Sequence, residues 1–128
     1  MTAHIALPNV DPVKRPSTLS PVMMTEILRG SLGFNGVVVT DGMTMQGVTD
    51  SNTPDEAAVK AIEAGIDVVL VPEDLAKAYT GVLHAVKSGR ISAQRLDQSV
   101  CDPVHAGALR QRRHRRGVST ERLPPRRQ

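Results

Sequence analysis

Aromatic side chains are nearly missing from this sequence of 128 residues, which holds one Phe, one Tyr and no Trp. Its core must therefore be built from Val, Ile, Leu, Met and Ala, the palette of parallel sheets covered by helices. The single cysteine, Cys101, excludes an intramolecular disulfide and gives no sign of an oxidising compartment. No apolar run approaches the roughly 20 residues needed to span a bilayer. The N-terminus lacks the basic and long apolar regions of a signal peptide. The expectation is a cytoplasmic chain without a membrane partner. The four His, at 4, 84, 105 and 114, have no ligand spacing, so no metal is expected. No cofactor is expected either, since there is no phosphate loop and no GxGxxG, and a Ser-His-Asp reading fails because no Ser sits on a strand-to-helix elbow.

Charge is not missing but unevenly placed. The net charge of +3 hides a segment, 110–128, that carries eight Arg against one acid, Glu121. The remainder is mildly acidic, so the asymmetry marks a boundary within the chain. From Cys101 onward apolar residues are few and no period is visible, which predicts a basic, irregular tail over 101–128. The run RQRRHRR at 110–116 has the charge to bind nucleic acid or another anionic surface, but no nucleic-acid-binding fold accompanies it. An out-of-frame reading of a GC-rich gene gives the same composition.

Residues 1–100 read differently. Segment 2–7 is a short buried strand, followed by a loop over 8–19 punctuated by Pro8, Pro12 and Pro16. Ser20 and Pro21 open a helix as N-cap and first residue, and Gly33 closes it. GVVVTD, 36–41, is apolar enough for a strand buried on both faces. A polar stretch runs from Gly42 to Asn52. Thr53-Pro54-Asp55-Glu56 is a helix start with a capping box, and Gly65 ends that helix. IDVVLV, 66–71, is the next strand. A helix over about 73–88 places Leu75, Tyr79, Val82, Leu83 and Val86 on one face, and Ser92 caps a last short helix through Val100. Short apolar strands alternating with helices predict parallel βαβ units with right-handed crossovers. Half of a barrel and part of a doubly wound sheet both satisfy this order.

Asp41 is the first candidate for chemistry. It ends a buried strand, where ligands bind in both kinds of fold, and a carboxylate there can be a nucleophile, a base or a metal ligand. Capping of the following turn is the plainer reading. His4 lies near the end of its own strand on the same presumptive face. Asp67 starts its strand, at the opposite end, and is read as structural. Asp11, Asp50, Glu73 and Asp74 are read as capping acids, and His84 as a surface residue.

At this point the residues resemble a known family. MTAHIALPNVDP with RPSTLSP, LRGSLGFNGVVVTDGMTMQGV, AVKAIEAGIDVVLVP and AVKSGRISAQRLDQSV resemble, in order and spacing, the N-terminal (β/α)8-barrel domain of glycoside hydrolase family 3. The bacterial β-N-acetylglucosaminidase branch is the nearest in flavour, and the resemblance covers residues 1–100. It implies a partial TIM barrel, about the last three βα units, with Asp41 as catalytic nucleophile and His4 and Met45 as contacts of a carbohydrate substrate. Gly42 departs from the Asp or Ala commoner at its position. The implied activity is retaining hydrolysis of terminal β-linked N-acetylglucosamine or β-glucose, in a setting such as wall recycling.

The acid/base expected from a Lys-His…Gly-His-Gly-Asp-like loop has no counterpart in this sequence. Two alternatives follow. One is an inactive or split-enzyme fragment that needs a second chain to complete the barrel. The other is anionic-ligand or nucleic-acid binding through the Arg-rich tail, whose mark would be a steep salt dependence lost on deleting 110–128.

Overall fold

The computed structural model describes residues 1–101, so the expected irregular tail falls, apart from Cys101, outside the described residues. Four helices have named bounds: α1, Val22–Ser31; α2, Gln46–Thr49; α3, Pro54–Ala64; and α4, Leu75–Lys87. A 3-10 turn, Ser17–Leu19, precedes α1, and residues 93–101 are helical.

The three expected strands are extended segments joined by few backbone bonds. Val39 and Val68 form a parallel bridge. Asp67 N–H and Val68 N–H donate to the Val38 carbonyl, and Thr40 N–H donates to Val68 at 3.0 Å. Thr2 N–H donates to Val39 at 2.8 Å. His4 meets Gly42 further along, so the first segment runs the same way as the second. The spatial order is therefore 2–4, 38–41, 67–70, with the middle segment flanked on both sides.

Helix ends follow the sequence signals, with one correction. Ser20 Oγ accepts Met23 N–H, Asp74 Oδ1 accepts Lys77 N–H, and Ser92 Oγ accepts Arg95 N–H. Gly65 takes φ +114, a left-handed conformation that glycine adopts without a Cβ penalty, and a Cβ there would sit 2.9 Å from Thr25 Oγ1. The correction concerns the capping box: Thr53 caps α3 by backbone geometry alone. Glu56 turns away to Arg90, which spans Glu56 and Glu63 with four hydrogen bonds of 2.7–3.0 Å. A forked guanidinium offers a carboxylate two charge-assisted bonds, more than one capping bond supplies. Two features lie beyond the sequence signals. The polar stretch after Asp41 holds the single turn α2, and α1 is π-wound, closing with Leu32 N–H on the Ile27 carbonyl.

The buried face of α4 also corrects the expectation. Leu75 is 73% exposed, Tyr79 68% and Leu83 39%, while Ala78 and Ala85 are buried. Of the predicted stripe, Val82 and Val86 pack inward, with Ile62 and Leu96 around Val59, Ala85 and Ile91. The reason is close approach. A Cβ on Gly81 would lie 2.6 Å from Asp55 Cβ, so small residues bring α4 against α3. Large apolar side chains stay on the other face. The principal core is formed by Leu19, Met24, Val38, Met43, Val48 and Ile66 with the small residues Ala57, Ala61 and Ala64 of α3.

Asp67, its side chain 1% exposed, joins the ends of these elements. Its carboxylate accepts from Arg29 of α1, Val38 N–H and Ser99 Oγ, and pairs with Arg95 at 3.5 Å. Arg95 also donates to the Ile62 and Ile66 carbonyls, and Arg29 to those of Gly36 and Gly65. Removing one partner of a buried, hydrogen-bonded charge costs about 3–5 kcal/mol. Arg95→Met is expected to lower the free energy of unfolding by that order, read from urea titration. A loss under about 1 kcal/mol would contradict the structural role assigned to this cluster.

Asp11 organises the loop before α1. Its carboxylate accepts Ser20 Oγ at 2.6 Å and Val13 N–H at 3.1 Å, and lies 3.0 Å from Arg15. The Ser20 hydroxyl holds the Asp11 carboxyl below its ordinary range; burial opposes this, and the Val13 amide and Arg15 add to it. A carboxyl with a depressed folded-state pKa adds stability above its unfolded value, about 3.9, and loses it as pH falls through the folded value. Urea midpoints measured from pH 6 down to pH 3 are expected to fall more steeply for wild type than for Asp11→Asn. Parallel curves would show that Asp11 carries no such linkage.

Candidate active site

Asp41 ends the middle segment, and its placement begins with the residue before it. Thr40 is fully buried, and its Oγ1 accepts Leu70 N–H at 2.8 Å. Met43 N–H reaches the Leu70 carbonyl at 3.1 Å. The chain on both sides of Asp41 is thus tied to the end of segment 67–70, while Asp41 itself is half-buried. The sequence placed a carboxylate at a strand end; the structure adds that this end is pinned by a side-chain bond in place of a continued ladder.

Gly42 joins the three residues singled out above. Its N–H donates to Asp41 Oδ1 at 2.8 Å. Its carbonyl accepts Met45 N–H at 3.2 Å and lies 3.1 Å from His4 Nε2. A carbonyl only accepts, so His4 is the donor through a protonated Nε2. His4 Nδ1 is enclosed and has no partner among the described residues. Met45 is the N-cap of α2 and is 48% exposed. Asp41, His4 and Met45 are therefore brought to one turn. The residue that connects them was noted in the sequence only as a departure from the family pattern. It acts through backbone N–H and C=O groups, which every non-proline residue has, so no side-chain signal pointed to it.

Asp67 lies at the far end of its segment from Asp41 and belongs to the ion-pair cluster. Asp74 is a helix cap whose carboxyl is held below its ordinary range by Lys77 N–H, against the effect of burial. A groove of about 650 Å3 lies between α3 and α4, lined by Asp55, Glu56, Lys77, Thr80, His84 and Arg90, and contains none of the three candidates. Among the described residues no group of three His, Cys, Asp or Glu could hold a metal ion, and no helix is long and apolar enough to cross a membrane.

Comparison with known proteins places these features in a family. The family model described as glycosyl hydrolase family 3 N terminal domain matches residues 1–102. A β-hexosaminidase A of Pseudoalteromonas piscicida is 40% identical over 82 residues, which cover 56% of this chain and 14% of that protein. A solved family 3 β-N-acetylglucosaminidase of Paenibacillus sp. superposes with a TM-score of 0.75 at 42% identity, covering 91% of this chain and 22% of that one. A β-glucoside phosphorylase superposes with a TM-score of 0.79 at 30% identity, covering 98% of this chain and 23% of that one. The chain thus spans less than a quarter of the length of each of these three proteins.

The Thr40 bond yields a direct test of how the Asp41 end is held. Thr40→Val keeps the shape but strands the Leu70 N–H, at a cost of about 1–3 kcal/mol. Thr40→Ser keeps the acceptor. Denaturant titration is expected to show Val clearly less stable than Ser, and equal losses for the two would contradict the assignment.

Proposed function

The chain belongs to glycosyl hydrolase family 3, and from that premise we propose that it carries the nucleophile of a retaining glycosidase acting on terminal β-linked N-acetylglucosamine. The observation that carries this reading is the single turn in which Gly42 binds the Asp41 carboxylate through its N–H and gathers His4 and Met45 through its carbonyl. Asp41 Oδ2 is the oxygen left for attack, since Oδ1 takes the Gly42 N–H. Attack on the anomeric carbon forms a covalent glycosyl-enzyme and expels the leaving oxygen as a second group protonates it. That group then removes a proton from water as water breaks the new ester. His4 and Met45 flank the sugar on the Asp41 turn. The names of the related hexosaminidase and N-acetylglucosaminidase support N-acetylglucosamine, and that of the phosphorylase keeps β-glucose in play.

In this reading residues 1–100 form the last three βα units of an eight-stranded barrel, and 101–128 are an appended basic segment. The acid/base belongs to the units before them. A second reading is favoured by the exposed row Leu75, Tyr79 and Leu83 and by the chain's spanning less than a quarter of each compared protein. It holds that the chain alone is inactive and works only with a second chain that completes the barrel.

The test is hydrolysis of an aryl β-N-acetylglucosaminide by the purified chain, alone and mixed with a polypeptide supplying the upstream barrel units of a related hexosaminidase. Turnover is expected in the mixture and little from the chain alone. Asp41→Asn is expected to reduce it by about a thousandfold or more. Turnover that survives Asp41→Asn would overturn the nucleophile assignment, and full turnover by the chain alone would overturn the split reading.

A further inference from the structure

We propose that His4 is a positioning residue for the Asp41 carboxylate, acting through Gly42. The inference rests on the reading of Asp41 as nucleophile, but its physical basis lies in the turn. Gly42 has the widest backbone freedom of any residue type. Packing does not restrain it, since a Cβ added there would meet only Thr44 Oγ1, at 3.8 Å. Its φ is not among the positive values, so the turn does not select glycine for a left-handed conformation. What holds the residue is its hydrogen bonds: the carbonyl with Met45 N–H and His4 Nε2, the N–H with Asp41 Oδ1. The Met45 bond is local to the turn and moves with it. The His4 bond reaches across 38 residues and fixes the turn to segment 2–4, which is itself anchored by Thr2 N–H on Val39. Release of the carbonyl would leave the 42–43 peptide held across the fold only by Met43 N–H on the Leu70 carbonyl, and the neighbouring N–H that orients the attacking carboxylate would lose its tie to segment 2–4.

The state of the ring supports the same role. A histidine kept for packing alone would be better replaced by an apolar side chain, because its enclosed Nδ1 finds no partner among the described residues. Its Nε2 is the nitrogen with a use. With Nε2 engaged and Nδ1 enclosed, His4 acts on the reaction through the turn, and Gly47 of α2, where a Cβ would lie 3.5 Å from the His4 carbonyl, leaves room for that segment to pass.

The test uses the full chain labelled with 15N and does not depend on turnover, so it stands apart from whether Asp41 attacks a sugar. A long-range 1H–15N correlation is expected to show a proton on His4 Nε2; an Nε2 without a proton overturns the proposal, because it could then donate nothing to Gly42. Amide exchange supplies the second readout. In His4→Leu the Gly42 and Met45 amides are expected to exchange about tenfold faster. Those of Thr40 and Leu70, which report the pairing of the neighbouring segments, keep their wild-type rates. In His4→Gln, whose amide N–H reaches the same carbonyl, Gly42 exchange is expected to stay at the wild-type rate. Unchanged Gly42 exchange in His4→Leu overturns the proposal, as does equal acceleration of all four amides. Should His4→Leu fail to fold, the wild-type tautomer and His4→Gln decide: fast Gly42 exchange in His4→Gln overturns it.

Discussion

The buried carboxylate of Asp67 is the constraint on which the rest of this structure depends. An aspartate side chain 1% exposed is tolerable only when its charge is met and its oxygens are hydrogen-bonded. Here four partners come from three parts of the chain: Arg29 of α1, the backbone of Val38, and Arg95 and Ser99 of the last helical stretch. The two arginines use their remaining donors on carbonyls at the ends of α3 and of the extended segments. Charge neutralisation and helix-end satisfaction are thus achieved by the same side chains. Because Asp67 holds Val38 N–H, it also fixes the register in which Val39 meets Val68. That register carries Thr40 to Leu70 and sets Asp41 at the end of the segment.

Much of this was legible in the sequence, and the parts that were not share a cause. Ser20, Asp74, Ser92 and Gly65 mark helix ends by chemistry that acts within four residues, and the structure uses all four. Asp67 was legible as structural from its place at the start of an apolar run. The face of α4 was not legible, because a periodic stripe of large apolar residues is ordinarily a buried stripe. In α4 the contact with α3 depends instead on Gly81, Ala78 and Ala85, whose value is their lack of bulk. The capping box at Thr53 failed for a tertiary reason: Arg90, 34 residues from Glu56, competes for its carboxylate. Of the candidate site, Asp41, His4 and Met45 were proposed from motifs, whereas Gly42, which links them through backbone groups, carried no such signal.

Position and chemistry then separate. The described residues hold the Asp41 carboxylate in a defined turn, with Oδ1 bonded to the Gly42 N–H. A retaining glycosidase needs a second group to donate and later accept a proton, and the family motif that would supply it is not in this sequence. The packing leaves Leu75, Tyr79 and Val71 exposed. Large apolar side chains left exposed in this way suit a surface that packs against a partner. The chain spans less than a quarter of each compared family member, and its proposed role is to supply the nucleophile.

The most direct measurement is covalent trapping. The chain, assembled with its complementary barrel units, would be treated with an activated fluorosugar that forms the glycosyl-enzyme quickly and releases it slowly, then digested and mapped by mass spectrometry. The account predicts one sugar adduct per chain, on the peptide containing Asp41 and on that side chain. An adduct on another carboxylate, or continued hydrolysis of the reagent with no adduct on Asp41, would contradict it.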